Sequence, residues 1–260
     1  AALDEADPLP GFNGATGWPT NTTYINAWQP GALPARYPDG WGIPVPPGAD
    51  LVIEIHYGPD FGGQTDDTVM NLEWVDEPES EIRPISVGWL LGNGAMTDGP
   101  LVIPPNQMST FHQEAVLFNS DKSLLSICPH MHLLGKSYKV WMEIPAGDSI
   151  PLIDIPQWHF EWQFYYRFLS PVYVPAGTVF KTEGVYDNTV WNPLNPNDPP
   201  IEVTYGSLTT DEMFLVYFIW ADHQEGDEDL VFGTVEDPAS AVAEPPRAEG
   251  LDVQVSPNPA

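Results

Sequence analysis

Two histidines separated by one residue, in Cys128-Pro129-His130-Met131-His132, have the types and spacing that suit metal chemistry. At strand spacing, positions 128, 130 and 132 share a face, which would present two imidazoles and a thiol to one spot. Spacing alone is more commonly produced by a pair of surface or core histidines. Met213, in Thr209-Thr210-Asp211-Glu212-Met213, is a candidate third donor, although taken by itself it reads as a core gap-filler. Imidazole nitrogen and thioether sulfur together suit copper: histidine serves both oxidation states and a soft thioether favours Cu(I). Zinc would ordinarily recruit another histidine, a cysteine or a carboxylate.

The elements that must position these residues read as short strands. LVIEIHYG at 51–58 alternates, with Leu51, Ile53, Ile55 and Tyr57 on one face. TVMNLEWV at 68–75 reads as a second strand, and the acidic, proline-bearing stretch at 76–84 as a domain boundary. Beyond it come ISVGWLL, FHQEAVLFN, SLLSICPHMHLL, SYKVWMEIP, HFEWQFYYRF, TVFKTEGVYD, IEVTYG, MFLVYFIW and LVFGTV. Turn residues bound each run, and none keeps a helical period for three turns, so the expected class is all-β, a β-sandwich. Pro129 cannot donate to a ladder, so its strand is expected to lie at an edge or to be bulged.

Composition sets outer limits. The 260 residues allow one large β domain or two smaller ones. A formal charge of -29 argues against nucleic acid and against an anionic membrane surface. Cys128 is the single cysteine, so no internal disulfide forms, and no apolar run reaches the length of a membrane span. The first residues form no basic-then-apolar signal and include no initiator methionine, so the sequence reads as starting within a longer product.

The run ICPHMHLLGKSYKVW, followed by HFEWQFYY, by YVPAGTVFKTEGVYDNTVWNPLNPNDPP and by VTYGSLTTDEM, resembles the copper type II, ascorbate-dependent monooxygenases. This is the family of peptidylglycine α-hydroxylating and dopamine β-monooxygenases, and the resemblance is to its bacterial members. It extends upstream through WQPG and PPGADLVIEIHYGP and covers most of residues 28 to 220. It implies tandem jelly-roll domains facing a cleft, each with one copper, and reduction by ascorbate or another one-electron donor. The second-domain copper, where oxygen is activated, would be held by His130, His132 and Met213. The first-domain copper would take His56 from the HYG motif, but its other two ligands, normally a His-His pair, have no counterpart before His56 in this sequence. An N-terminal segment or a partner chain supplying two histidines would be needed, or that centre has been lost.

On this reading, residues 1–78 are the C-terminal part of a first jelly roll, 79–232 the second, copper-bearing one, and 233–250 a linker. The substrate would be a small-molecule or peptide-like compound with an unactivated C–H. Tyr217 matches a substrate-contact tyrosine of the peptide-amidating members. Cys128 stands where they carry a carboxylate-binding arginine, and Leu215 where they carry an asparagine, so a C-terminal glycine extension is a poor substrate. Cys128 stays open between an inert buried thiol, a replacement ligand and a redox or substrate contact. Asp211 and Glu212 are candidate acceptors for a ligand imidazole, and His159 a candidate orienting residue, with a structural role the simpler reading. His112 and His223 read as solvated positions. LDVQVSPNPA at 251–260 resembles the opening of a type IX secretion sorting domain of Bacteroidetes, which implies a secreted or cell-surface protein. The rival function is a non-catalytic, secreted β-sandwich subunit of a cell-surface assembly, with or without bound copper.

Overall fold

The computed structural model describes residues 22–29, 32, 34–55, 68–75 and 77–232. The chain divides into two compact units, one of Tyr24–Ile43 with Glu79–Val235 and one that includes Pro44–Pro78. The described strands lie in the former. They are β1 (Trp41–Gly42), β2 (Arg83–Leu91), β3 (Val102–Ile103), β4 (Gln107–Val116), β5 (Lys122–His130), β6 (Gly135–Glu143), β7 (Ser149–Ile155), β8 (Tyr166–Val174), β9 (Val179–Asn188), β10 (Val203–Thr204) and β11 (Leu215–Asp222). Among the described residues the only helices are three single 3-10 turns, so the fold is all-β.

One sheet has the order β1-β2-β11-β5-β8, a second β4-β9-β6-β7, and β10 pairs with β3. Pairing is antiparallel except between β1 and β2. Alternation builds the main core: Leu124, Ile127, Val216 and Phe218 from the first sheet meet Phe111, Tyr138, Val140, Met142, Phe180 and Tyr186 from the second. The opposite face of the first sheet buries Ile85, Val87, Leu125, Ile219 and Ala221 beneath Trp41 and Phe232, with Tyr24, Tyr37 and Ile43 packed alongside. Tyr24, Tyr37, Trp41 and Ile43 thus cover part of that face.

Several expected strands differ. Residues 51–55 and 68–75 belong to no strand, and 68–75 are exposed throughout. Without a partner ladder among the described residues, alternation alone does not make a strand. Residues 56–58 lie outside the described residues. HFEWQFYYRF is loop up to Tyr165, because the Trp162 amide turns back onto the His159 carbonyl (2.9 Å) and β8 begins only at Tyr166. The run SLLSICPHMHLL stops being strand at His130, so His132 lies just beyond the ladder. β7 was not expected from the sequence; it is an edge strand, where Pro151 costs no central ladder bond. Pro129 follows the same logic. It pairs with Val216 of β11, whereas pairing to β8 has already ended at Ile127, so this end of β5 is locally an edge.

The opposite end of the first sheet is tied by charge. Arg83 forms a fork on the buried Asp227 carboxylate, which also accepts from Ser123 Oγ and the Gln224 amide. His223 is therefore no solvated residue: its ring is half-buried, 3.0 Å from Ser123 Oγ and 3.7 Å from Asp227. Burial alone would raise the Asp227 carboxyl, but its donors hold it down at about 2 against an ordinary 3.8. A depressed acid stabilises the fold fully above its unfolded value and loses that contribution as pH falls through its folded value, here between about 4 and 2. Asp227→Asn is expected to lower stability by about 3 kcal/mol at neutral pH. Urea unfolding across pH should show the gap to the parent narrowing below about pH 4, with an undiminished gap at pH 2 contradicting the assignment.

Candidate metal centre

β5 delivers His130 as its last residue, opposite Leu215, the first residue of β11. Two residues beyond the ladder on one side lies His132, and two before it on the other lies Met213. The junction is closed by Glu212, which is fully buried. Its Oε2 accepts from the amides of His132 (2.9 Å) and Met213 (3.3 Å), and its Oε1 from the amide of Leu134 (2.6 Å). Where the ladder ends, these N–H groups need a replacement acceptor, and one carboxyl supplies it for all three. Burial pushes the Glu212 carboxyl up to about 8, against those three amides, which pull it down.

Each histidine ring is held by a bond at Nδ1. His132 Nδ1 stands 3.0 Å from the Asp211 carbonyl oxygen, which can only accept, so Nδ1 carries a proton and, in the neutral ring, Nε2 carries the lone pair. His130 Nδ1 stands 2.6 Å from Gln163 Oε1, and the Gln163 amide nitrogen donates to the Phe160 carbonyl at 2.6 Å. That second bond fixes which end of the amide faces the ring, so His130 carries its proton at Nδ1 as well. The ring centroids are 5.0 Å apart with planes at 82°. Two imidazoles sharing one ion through nitrogens at about 2 Å would have centroids roughly 4.5–5 Å apart, so the spacing fits a common ligand role.

Surrounding packing holds this arrangement. The Trp158 indole donates to the His132 carbonyl at 3.3 Å, and the Tyr186 hydroxyl to the Met213 carbonyl at 2.8 Å. A Cβ on Gly135 would stand 2.5 Å from the Trp158 ring, and one on Gly184 would stand 2.5 Å from Phe214. Both glycines are thus required for the aromatic residues beside the pair to close. Met213 itself is half-buried, with its backbone pinned at both N–H and C=O.

Other candidates take different positions. Asp211 and Glu212 do not meet an imidazole through their carboxylates: Asp211 uses its backbone carbonyl, and Glu212 binds backbone amides. His159 is exposed, and the residues of its segment that reach the pair are Trp158, Phe160, whose ring stands edge to face with His132 at 6.1 Å, and Gln163. Cys128 is buried, and burial pushes its thiol up to about 12, the setting of an inert thiol. Tyr217 is half-buried with its ring 6.4 Å from His130. His112 is met by Asp98 at 2.9 Å on an exposed surface. His56 lies outside the described residues. Among those described, no three His, Cys, Asp or Glu side chains group so as to hold a metal. An ion on the histidine pair would need a donor of another type, and the Met213 thioether is the candidate. Sequence reading missed Gln163, whose signal is a lone amide within the aromatic run Trp158–Tyr166.

No family model matches this chain, and no curated protein matches it significantly.

Glu212→Ala would strand three buried amides and is expected to cost about 3 kcal/mol or more. Asp211→Ala keeps the carbonyl that holds His132 and should cost under about 1 kcal/mol. Chemical denaturation of the two variants checks this ordering; equal losses would contradict the role given to the Glu212 carboxyl.

Proposed function

We propose that this chain is an exported β-sandwich protein, built as jelly rolls, whose His130–His132 pair holds a single copper ion with Met213. It serves as a binding and interaction subunit of a cell-surface assembly. The supporting observation is the pair itself: two imidazoles 5.0 Å apart at their centroids, each donating from Nδ1 to a fixed oxygen acceptor, which leaves Nε2 of the neutral ring as the nitrogen a metal would take. The donor chemistry narrows the metal, since two nitrogens and a soft sulfur suit copper in either oxidation state better than zinc. Binding without turnover is the leading reading because, among the described residues, no group of three His, Cys, Asp or Glu side chains is placed to hold a metal.

Hydroxylation of an unactivated C–H, as the resemblance to copper type II monooxygenases implies, is the second reading. It is favoured by Glu212, whose single oxygen accepts from both His132 and Met213 and so holds together the backbone of two members of the implied ligand set. Copper, when bound, supplies one-electron redox chemistry toward dioxygen, with ascorbate or a similar donor as reductant. The protein's share is to fix the two rings through Gln163 and the Asp211 carbonyl and to hold Met213 by its backbone. His56, with two further histidines from an upstream segment or partner chain, would hold the electron-storing copper, and the substrate would be a small-molecule or peptide-like compound.

Metal analysis of the full chain is expected to give about one tightly bound copper, lost in His130→Ala/His132→Ala. Full occupancy in that double variant rejects the site. Gln163→Leu removes the acceptor that orients His130 and should weaken copper about tenfold or more. Met213→Ile should weaken Cu(I) more than Cu(II), because only the soft donor is lost. Oxygen uptake with ascorbate decides between the readings: little or no turnover by this chain is expected, and vigorous copper-dependent uptake would move the enzyme reading ahead.

A further inference from the structure

The connection between β7 and β8 meets both histidines, each through a different residue. The Trp158 amide donates to the Lys136 carbonyl (2.8 Å), and its indole donates to the His132 carbonyl (3.3 Å). Phe160 sets its ring edge to face with the His132 ring, at 6.1 Å and 89°. Gln163 is buried; its Oε1 accepts from His130 Nδ1 and its Nε2 donates to the Phe160 carbonyl, both at 2.6 Å. The Trp162 amide closes a turn onto the His159 carbonyl at 2.9 Å. Phe160 is thus tied to both rings, to His132 by its own ring and to His130 through Gln163. The other side of this strap has a different character: His159, Glu161 and Trp162 are exposed, the indole by 62 %. Residues 158–163 therefore join the histidine pair to the surface.

We infer that the strap 158–163 is coupled to occupancy of the His130–His132 pair: a copper ion bound there tightens the strap and fixes how His159, Glu161 and Trp162 are presented. The inference rests on the copper reading above and adds its regulation. The physical link is the imidazole itself. An ion on Nε2 draws electron density from the ring and makes Nδ1–H a stronger donor, and for His130 the acceptor of that bond is Gln163. The occupied pair therefore favours the closed strap over an opened one through a differential interaction. At His132 the acceptor is the Asp211 carbonyl, in a segment that Glu212 already holds by its backbone. Little is left there for an ion to order. The strap, by contrast, is held to the pair by side-chain contacts, so the ordering falls on it. The coupling is reciprocal: the factor by which an ion tightens the strap is the factor by which the strap tightens the ion. Gln163 is the point at which this link is cut without touching a donor to the metal.

Hydrogen exchange of the full chain, read by mass spectrometry over seconds to minutes, tests the coupling. The probe is anaerobic Cu(I), with bound copper counted on the same samples. In the parent, one bound Cu(I) should slow exchange across 159–164 about tenfold. No change of comparable size is expected in β4, whose amides are paired with β9. Gln163→Leu keeps both histidines and Met213. At a Cu(I) concentration that fills its weaker site, it should show no slowing of the strap. Phe160→Ala removes the ring from His132 and should lose part of the slowing, which keeps the coupling testable if the buried Gln163→Leu change unfolds the chain. A copper-loaded parent whose strap exchanges as fast as in the metal-free chain would overturn the inference. So would equal slowing in β4, or full slowing in either folded variant. A parent that takes up no copper rejects the metal reading and this inference with it, whereas an occupied pair beside an unchanged strap rejects the coupling alone.

Discussion

A single buried carboxyl, that of Glu212, holds together the part of the molecule on which the candidate site depends. β5 and β11 are zipped by main-chain bonds only as far as His130 and Leu215. Beyond that point the two chains would part, leaving amides at 132, 134 and 213 without ladder partners. Glu212 collects all three. Taking a carboxyl out of water is unfavourable, and its elevated pKa of about 8 records that cost. The return is geometric: His132 and Met213 are fixed to one another through one oxygen atom, independently of any ion.

The rest of the junction follows from this constraint. With the backbone at 132 and 213 fixed, the Asp211 carbonyl falls within reach of the His132 ring and the Tyr186 hydroxyl within reach of the Met213 carbonyl. Gly135 and Gly184 leave room for Trp158 and Phe214 to pack against the same segment. His130 belongs to the ladder proper and takes its orientation from a separate loop through Gln163. Two rings are thus oriented by two unrelated segments, a way of presenting a pair of ligating nitrogens with little freedom to lose on binding.

Much of the strand content was legible in the sequence because alternation with buried partners is a strong signal: the expected run 85–91 falls within an observed strand, and 137–145, 178–187 and 213–220 overrun theirs by two residues at most. Alternation failed at 51–55 and 68–75, where the pattern is present but nothing described pairs with it. It also failed at 159–165, where an aromatic-rich run is a loop fixed by Gln163 and a turn at His159. At the site, the His130–His132 pair and the importance of 211–213 could be read from residue types. Which atom of each residue bonds could not. The acidic pair looked suited to receiving imidazoles, whereas Asp211 acts through its backbone and Glu212 through backbone amides, choices set by where the ladder ends. Gln163, 33 residues from its partner His130, is visible only once the loop is folded back.

The central claim is that a single ion is held by two imidazole nitrogens and the Met213 sulfur. X-ray absorption on the Cu(I)-loaded full chain addresses it directly. The account predicts a first coordination sphere with two nitrogen neighbours and one sulfur, the sulfur disappearing in Met213→Ile while the nitrogens remain. A sphere of nitrogen and oxygen alone, or a sulfur contribution that survives the Met213 substitution, would contradict it.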